Sequence, residues 1–233
     1  MKRPILVNTS KNFRLIEVTS PKDLSEANLS ELVIFKLPMD LVNIDDFQKH
    51  LSFLNLAKLD EIKNEREKIR FIKTRGLVNI LFSLENSEAE PIWQQNKYGK
   101  PYINGWDKDF SISHSTDISV VALASEAIGV DIEDNGRDID IEKFKRTKFL
   151  NFDEGAYESK EEFLMRFTAL EAYLKYLGKG FHKDAGKISV RKVNDAIVID
   201  DGELIKAEVI KSGGYTISMV MNKKAYLKGA NYG

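Results

Sequence analysis

Cysteine is absent from the 233 residues, which excludes a disulfide-stapled fold, a zinc-thiolate site, an iron-sulfur cluster and a thiol nucleophile. Any chemistry must use oxygen, imidazole or amine groups. Neither sign of charge is in excess: 35 Lys and Arg stand against 36 Asp and Glu, for a formal net charge of -1. That balance argues against a general nucleic-acid binder, although local basic clusters can still seat the phosphates of a small ligand. Long apolar runs are also missing. No stretch approaches the roughly 18 residues of a membrane span, and the opening MKRPILVNTS has too short an apolar run for the core of a signal peptide. These absences lead to the expectation of a soluble, cytoplasmic protein. What is present is a 42% hydrophobic chain long enough to bury about 70 to 75% of its unfolded surface, so intrinsic disorder is excluded.

Strand-rich and helix-rich segments alternate twice. Short β-branched runs at 5–7, 13–18 and 31–37 precede helical stretches predicted at 42–54 and 59–84, and the first half closes on Trp93 and the turn-rich NKYGKPYING. The second half opens with strands at 110–113, 120–124 and 128–133. A helix follows at 161–177, stopped by Gly178 as a C-terminal cap. Strands at 188–190, 197–199, 204–210 and 215–219 finish the chain, joined by turns with hairpin signals such as Asp201-Gly202 and Gly213-Gly214. The expected fold class is α+β: two similar α/β lobes, related by a pseudo-twofold, with antiparallel sheets and a cleft between them. The N-terminal lobe spans 1–108 and the C-terminal lobe 109–233. The cleft is the expected ligand site.

In AIGVDIED, Ile128, Val130 and Ile132 alternate with Gly129, Asp131 and Glu133. The period of two turns both acids to one face of a strand, about 6.5 to 7 Å apart, where flexible carboxylates can converge on one hard cation. Gly129 on that face leaves room for a ligand to approach the backbone. An ordinary strand with one solvated face gives the same pattern. A third acid, Glu171, falls on the shoulder of the core stripe formed by Phe163, Phe167, Leu170, Leu174 and Leu177, with Lys175 one turn further along. A simple Glu-to-Lys helix pair would also explain that spacing.

Anion-binding groups come earlier. Gly99 and Pro101 frame Lys100 in a turn that can aim it at a phosphate, and FSISHS ends a strand with Ser113, His114 and Ser115, all able to donate to phosphate oxygens. A plain surface turn and a satisfied histidine are the competing readings. Lys58, Arg66, Arg70, Lys73 and Arg75 are interspersed with acids, and a solvated helix face accounts for most of them. The glycine-rich dinucleotide and nucleotide-triphosphate cradles are missing.

In order and spacing, GKP at 99–101, FSISHS ending at 115, GVDIE at 129–133 and FTALEAYLKYLGKGF at 167–181, with a weaker echo in RFIKTRG at 70–76, resemble the Sfp-type 4′-phosphopantetheinyl transferases. The resemblance spans roughly 58–190. It implies an enzyme that transfers the 4′-phosphopantetheine arm of coenzyme A to a serine of an apo acyl, peptidyl or polyketide carrier protein, releasing adenosine 3′,5′-bisphosphate. It further implies a magnesium ion held by Asp131, Glu133 and Glu171. Lys100, Ser113 and His114 match positions that contact coenzyme A phosphates, Gly99 and Pro101 match the turn beside the adenine, and Lys58 aligns loosely with a basic residue at the 3′-phosphate. Glu171 is the expected base for the serine proton and Lys175 the cation for the departing bisphosphate. Two lobes in one chain imply a monomer, and no nucleic acid or membrane partner is expected.

The chain departs from the family in carrying Phe167 where a Trp is usual, and Leu170 before Glu171 where a Lys is usual. Two alternatives therefore stand beside the transferase. One is a catalytically weak module that binds coenzyme A or a carrier protein, and the other a metal-dependent phosphohydrolase that uses water in place of serine.

Overall fold

A computed structural model describes residues 6–8, 13–24, 27–87, 89–147, 150–180 and 185–221. Ile5 and Phe181, part of the expected first strand and of the last motif, lie outside them. The chain begins with β1 (Leu6–Asn8), β2 (Arg14–Glu17) and β3 (Val33–Pro38), continues through α1 (Ile44–Gln48), α2 (Phe53–Glu61) and α3 (Glu65–Glu85), then a small hairpin of β4 (Trp93–Gln95) and β5 (Pro101–Ile103). Next come β6 (Asp109–Ser115), β7 (Ile118–Ala124) and β8 (Ile128–Asp134), α4 (Ile141–Thr147), β9 (Asn151–Phe152) and α5 (Lys160–Tyr176). The strands β10 (Ser189–Val193), β11 (Ala196–Asp200), β12 (Leu204–Ser212) and β13 (Tyr215–Met221) follow.

Three helices replace the two predicted before residue 85. Apolar periodicity runs across Ser52 and Asn64, but the side chains of Asn43, Ser52 and Asn64 each accept a bond from a backbone N–H inside the next helix, at Asp45, Asn55 and Glu67. Each is an N-cap that ends one element and starts another.

The architecture is mixed α and β, with a five-stranded sheet ordered β1-β2-β3-β7-β6 and a six-stranded sheet ordered β8-β13-β12-β11-β10-β9. The sheets are not purely antiparallel: β2 pairs parallel with β3 and β9 with β10. Val33 of β3 lies beside Arg14 at the starting end of β2, and the two strands run in the same direction. The first sheet takes β6 and β7 from beyond position 108, with β7 pairing directly with β3.

Helix α3 covers one face of the first sheet, where Leu77, Val78 and Leu81 pack on Val33, Phe35 and Leu37. Helix α5 covers the second sheet, with Phe163, Leu170 and Leu174 packed among Val190, Ile197 and Ile199. The opposite faces of both sheets share a third core, in which Leu15, Ile34 and Val120 meet Ile128, Val130, Ile132, Ile217 and Met219.

Edge strands β6 and β8 lie side by side with side chains in place of a backbone ladder. Asp109 Oδ2 accepts from Ile128 N at 2.8 Å, Ser111 Oγ from Val130 N at 3.0 Å and Ser115 Oγ from Asp134 N at 3.0 Å. The constant offset means that the two strands run parallel. Asp109, Ser111 and Ser115 thus satisfy the N–H groups of Ile128, Val130 and Asp134, which would otherwise lack partners.

Candidate active site

The acids of β8 do not face solvent. On the face that carries Gly129, Asp131 and Glu133 lies α5, and the contact is closest at the glycine. A Cβ on Gly129 would stand 1.9 Å from the Ala172 carbonyl oxygen and 2.4 Å from the Tyr176 nitrogen, so no other residue allows this approach. The space expected for a ligand over Gly129 is therefore filled by helix backbone. The same contact lowers Lys175 onto Asp131: its Nζ lies 2.7 Å from Asp131 Oδ1 and donates to Ser113 Oγ at 2.7 Å. Ser113 in turn donates to Asp131 Oδ1 at 2.7 Å, which closes a three-membered polar triangle.

Around the triangle stand the other acids. Glu133 accepts from Ser115 at 3.2 Å and pairs with Arg137 at 2.9 Å. Glu171, half-buried on α5, is pushed up to about 7, first by burial and then by the negative charge of Asp131, with Glu133 adding and Lys175 opposing. Asp131 is 6% exposed, and its Oδ2 is buried without a hydrogen-bond partner among the described residues. An orphaned carboxylate oxygen beside a second acid held partly protonated by its neighbours suits a divalent cation, which would satisfy the one and stabilise the charge of the other. Among the described residues no group of three such side chains is already assembled as a cation cage. Lys175 and Arg137 hold two of the acids instead.

Beside the triangle opens a cavity of about 550 Å³. It is lined by one face of α3, the GKP turn, β6 and the end of α5, and Gly99, Lys100, Pro101, His114 and Lys175 all reach it. Gly99 sits at φ +90°, which favours glycine. The turn is held against the end of α5 by Asn96, whose Nδ2 donates to Gly178 O at 2.8 Å and whose Oδ1 accepts from Tyr98 N and Lys100 N. Gly178 takes the left-handed conformation expected of the helix cap.

Lys100 lines the wall with its stem, while its ammonium pairs with Asp109 at 2.5 Å and donates to Ile128 O at 3.0 Å. Partial burial at the cavity, then the Arg70 charge, holds His114 below the ordinary imidazole value, with Lys175 adding and Glu67 and Asp131 opposing. Ser113 faces β8 rather than the cavity. Lys58 is on α2, exposed and paired with Glu61 at 2.5 Å, away from the cavity lining.

Sequence reasoning missed the α3 wall. Glu67, Arg70, Phe71, Thr74 and Arg75 line the cavity, so the solvated-face reading is corrected for Arg70 and Arg75. It is corrected for Lys73 as well, which is 1% exposed and donates to Met39 O. The five wall residues follow the i, i+3, i+4, i+7, i+8 spacing of one helix face, a stripe that projection onto a helix would have revealed. Arg70 is paired with Glu67 and bonded to Thr116 O at 2.9 Å. Arg75 differs. Its guanidinium lies 4.0 Å over the Trp93 ring and 5.4 Å from the Phe71 centroid, with no ion pair among the described residues. Burial brings its pKa down to about 10, so it stays charged at neutral pH.

No family model matches the chain. It is similar to a protein from Bacillus subtilis named 4'-phosphopantetheinyl transferase, with 33% identity over 114 residues. The match covers 46% of this chain and 51% of the relative, so the chain spans about half the length of the protein it resembles.

Proposed function

We propose that the chain is a magnesium-dependent 4′-phosphopantetheinyl transferase, which carries the phosphopantetheine arm of coenzyme A to a serine hydroxyl of an apo acyl, peptidyl or polyketide carrier protein. The observation that carries this reading is the contact of α5 on β8 through Gly129, which sets Lys175 against Asp131 at the edge of a cation-lined cavity, with Glu171 near enough to feel the Asp131 charge. The partial similarity to a protein of that name supports it.

In the reaction the serine oxygen forms a bond to the phosphorus that carries the pantetheine arm, and the pyrophosphate linkage breaks. Adenosine 3′,5′-bisphosphate leaves. Charge builds on nonbridging and leaving oxygens, so catalysis needs cations placed in advance and an acceptor for the serine proton. Asp131, Glu133 and Glu171 would hold the ion, and magnesium supplies neutralisation of the pyrophosphate oxygens when bound. Arg75 offers the cavity a charge that no carboxylate among the described residues neutralises, and Arg70 and His114 stand on adjoining walls. Lys175 stabilises the departing bisphosphate. Glu171 takes the serine proton, directly or through water, and its half-buried setting beside other acids gives the carboxylate more basicity than an exposed glutamate has. All these groups come from one chain, so we take the working unit to be a monomer.

The test is intact-mass analysis of an apo carrier protein incubated with coenzyme A, Mg²⁺ and this chain. The expected result is a carrier heavier by one phosphopantetheine on its serine, together with free adenosine bisphosphate. An unchanged carrier with bound coenzyme A would reduce the chain to a binding module, and free phosphopantetheine without carrier modification would make it a hydrolase.

A further inference from the structure

Among the described residues, every lysine and arginine lining the cavity other than Arg75 has a carboxylate partner: Arg70 has Glu67, Lys100 has Asp109 and Lys175 has Asp131. Arg75 is held by aromatic faces instead. Trp93, the larger of the two, is itself fixed. Its Nε1 donates to Asn79 Oδ1 at 2.7 Å, and the Asn79 amide donates to His50 O and to Asn55 Oδ1, each at 2.8 Å. Asn79 is 2% exposed and lies one helical turn beyond Arg75 on α3, so the indole is anchored by the helix that carries the guanidinium. A buried asparagine with both ends of its amide occupied has one orientation, and it confers one orientation on the ring.

We propose that Trp93, locked by Asn79, is a positioning residue that presents the Arg75 guanidinium to an anionic ligand group in the cavity. This deepens the transferase reading in one respect only: the anion there is a phosphate of coenzyme A. The physical reason lies in what an aromatic face does that a carboxylate does not. A carboxylate partner would orient the guanidinium but neutralise it and occupy its N–H donors. An indole face attracts the cation through its quadrupole and leaves the in-plane donors free. The fork can then meet a phosphate bidentately without first breaking an ion pair. Phe71, one turn before Arg75, completes the aromatic cradle. The direction of the fork is therefore set by a ring on β4 that has no need to touch the ligand.

The experiment is calorimetric titration of the full chain with inorganic pyrophosphate and, separately, with coenzyme A. It compares wild type, Trp93→Leu, Trp93→Phe, Arg75→Gln and the Trp93→Leu/Arg75→Gln double variant, with melting temperature as the folding control. The expected result is about tenfold weaker binding of both ligands in Trp93→Leu, with much of the loss restored in Trp93→Phe, which keeps an aromatic face. The double variant should bind no more weakly than Arg75→Gln alone, because Trp93 acts through Arg75. A purely structural Trp93 would give additive losses, and that result overturns the proposal, as does unchanged affinity in a folded Trp93→Leu. Should Trp93→Leu fail to fold, Trp93 fluorescence in a Trp106→Phe background decides. A change in emission on pyrophosphate binding that Arg75→Gln abolishes is expected, and no change overturns it. Pyrophosphate separates this inference from the transferase reading. Wild type that binds pyrophosphate but not coenzyme A refutes the transferase alone, and wild type that binds neither refutes both.

Discussion

At Asp131 one oxygen is claimed by Lys175 and Ser113 and the other by nothing among the described residues. That asymmetry, set beside Glu171, makes the local charge balance sensitive to protons and to cations. The native state keeps a proton on Glu171 that the unfolded chain, with its ordinary carboxylate value, has already released. The native state therefore binds more protons between about pH 5 and about pH 7, and metal-free stability should fall as pH rises through that window. His50 and His114, both held below their ordinary values, slope the other way, so the measurement is the difference between wild type and Glu171→Gln in denaturant unfolding. We expect a loss on the order of 1 to 3 kcal/mol in wild type relative to the variant, and we expect Mg²⁺ to reduce it. A second outcome at this scale concerns Lys175→Ala. It leaves Asp131 buried and unpaired, so stability should drop by roughly 2 to 4 kcal/mol without metal, and added Mg²⁺ should recover part of it while transfer stays impaired.

Among the elements, the contact of α5 with β8 decides whether there is a site at all. Gly129→Ala places a methyl carbon within the backbone of α5, and a helix held by Leu170, Leu174 and Phe163 on its other side has nowhere to go without opening that core. The expected cost is at least about 2 to 3 kcal/mol, with transfer lost more completely than fold, and thermal unfolding run beside the intact-mass assay checks both. Helix geometry explains what was legible here and what was not. The alternation in GVDIED put Asp131 and Glu133 on one face, and helical spacing placed Glu171 and Lys175 on one shoulder, because both periods are local properties of the backbone. That the shoulder would press on that face was not local. It depends on Gly129 as a packing glycine, where the sequence alone suggested access for a ligand. Leu170, where the transferases the sequence resembles usually carry a Lys, is 1% exposed, so this difference is absorbed by the core as the helical stripe implied. The half-buried Phe167 stacks on Phe163 at 5.7 Å and keeps an aromatic contact.

Across the whole molecule, two sheets with separate helices are joined along a seam of side chains. Asp109, Ser111 and Ser115 replace a strand ladder, and no hydropathy pattern announces such a substitution, since serines alternating on a strand read as a solvated face. The α3 wall was passed over for a different reason: the acids around Arg66 and Arg70 suggested surface neutralisation, and although helical spacing puts Glu67, Arg70 and Arg75 on one face, that a cavity opens on that face is not a local property. The seam leads to an expectation of its own. Ser111→Ala strips the acceptor from the Val130 N–H in a buried strand, at a cost of about 1 to 3 kcal/mol, and hydrogen exchange should quicken at the amides of β8 before those of β3.

The account rests on acids from β8 and α5 meeting at one ion beside the cavity. Anomalous scattering from crystals of the chain grown with Mn²⁺ and coenzyme A measures this directly. One peak within coordination distance of Asp131, Glu133 and Glu171, touching the pyrophosphate of the bound ligand, is the expected result. A peak bound by other residues, or ligand density at the cavity with Asp131 and Glu133 still held by Lys175 and Arg137, would contradict it.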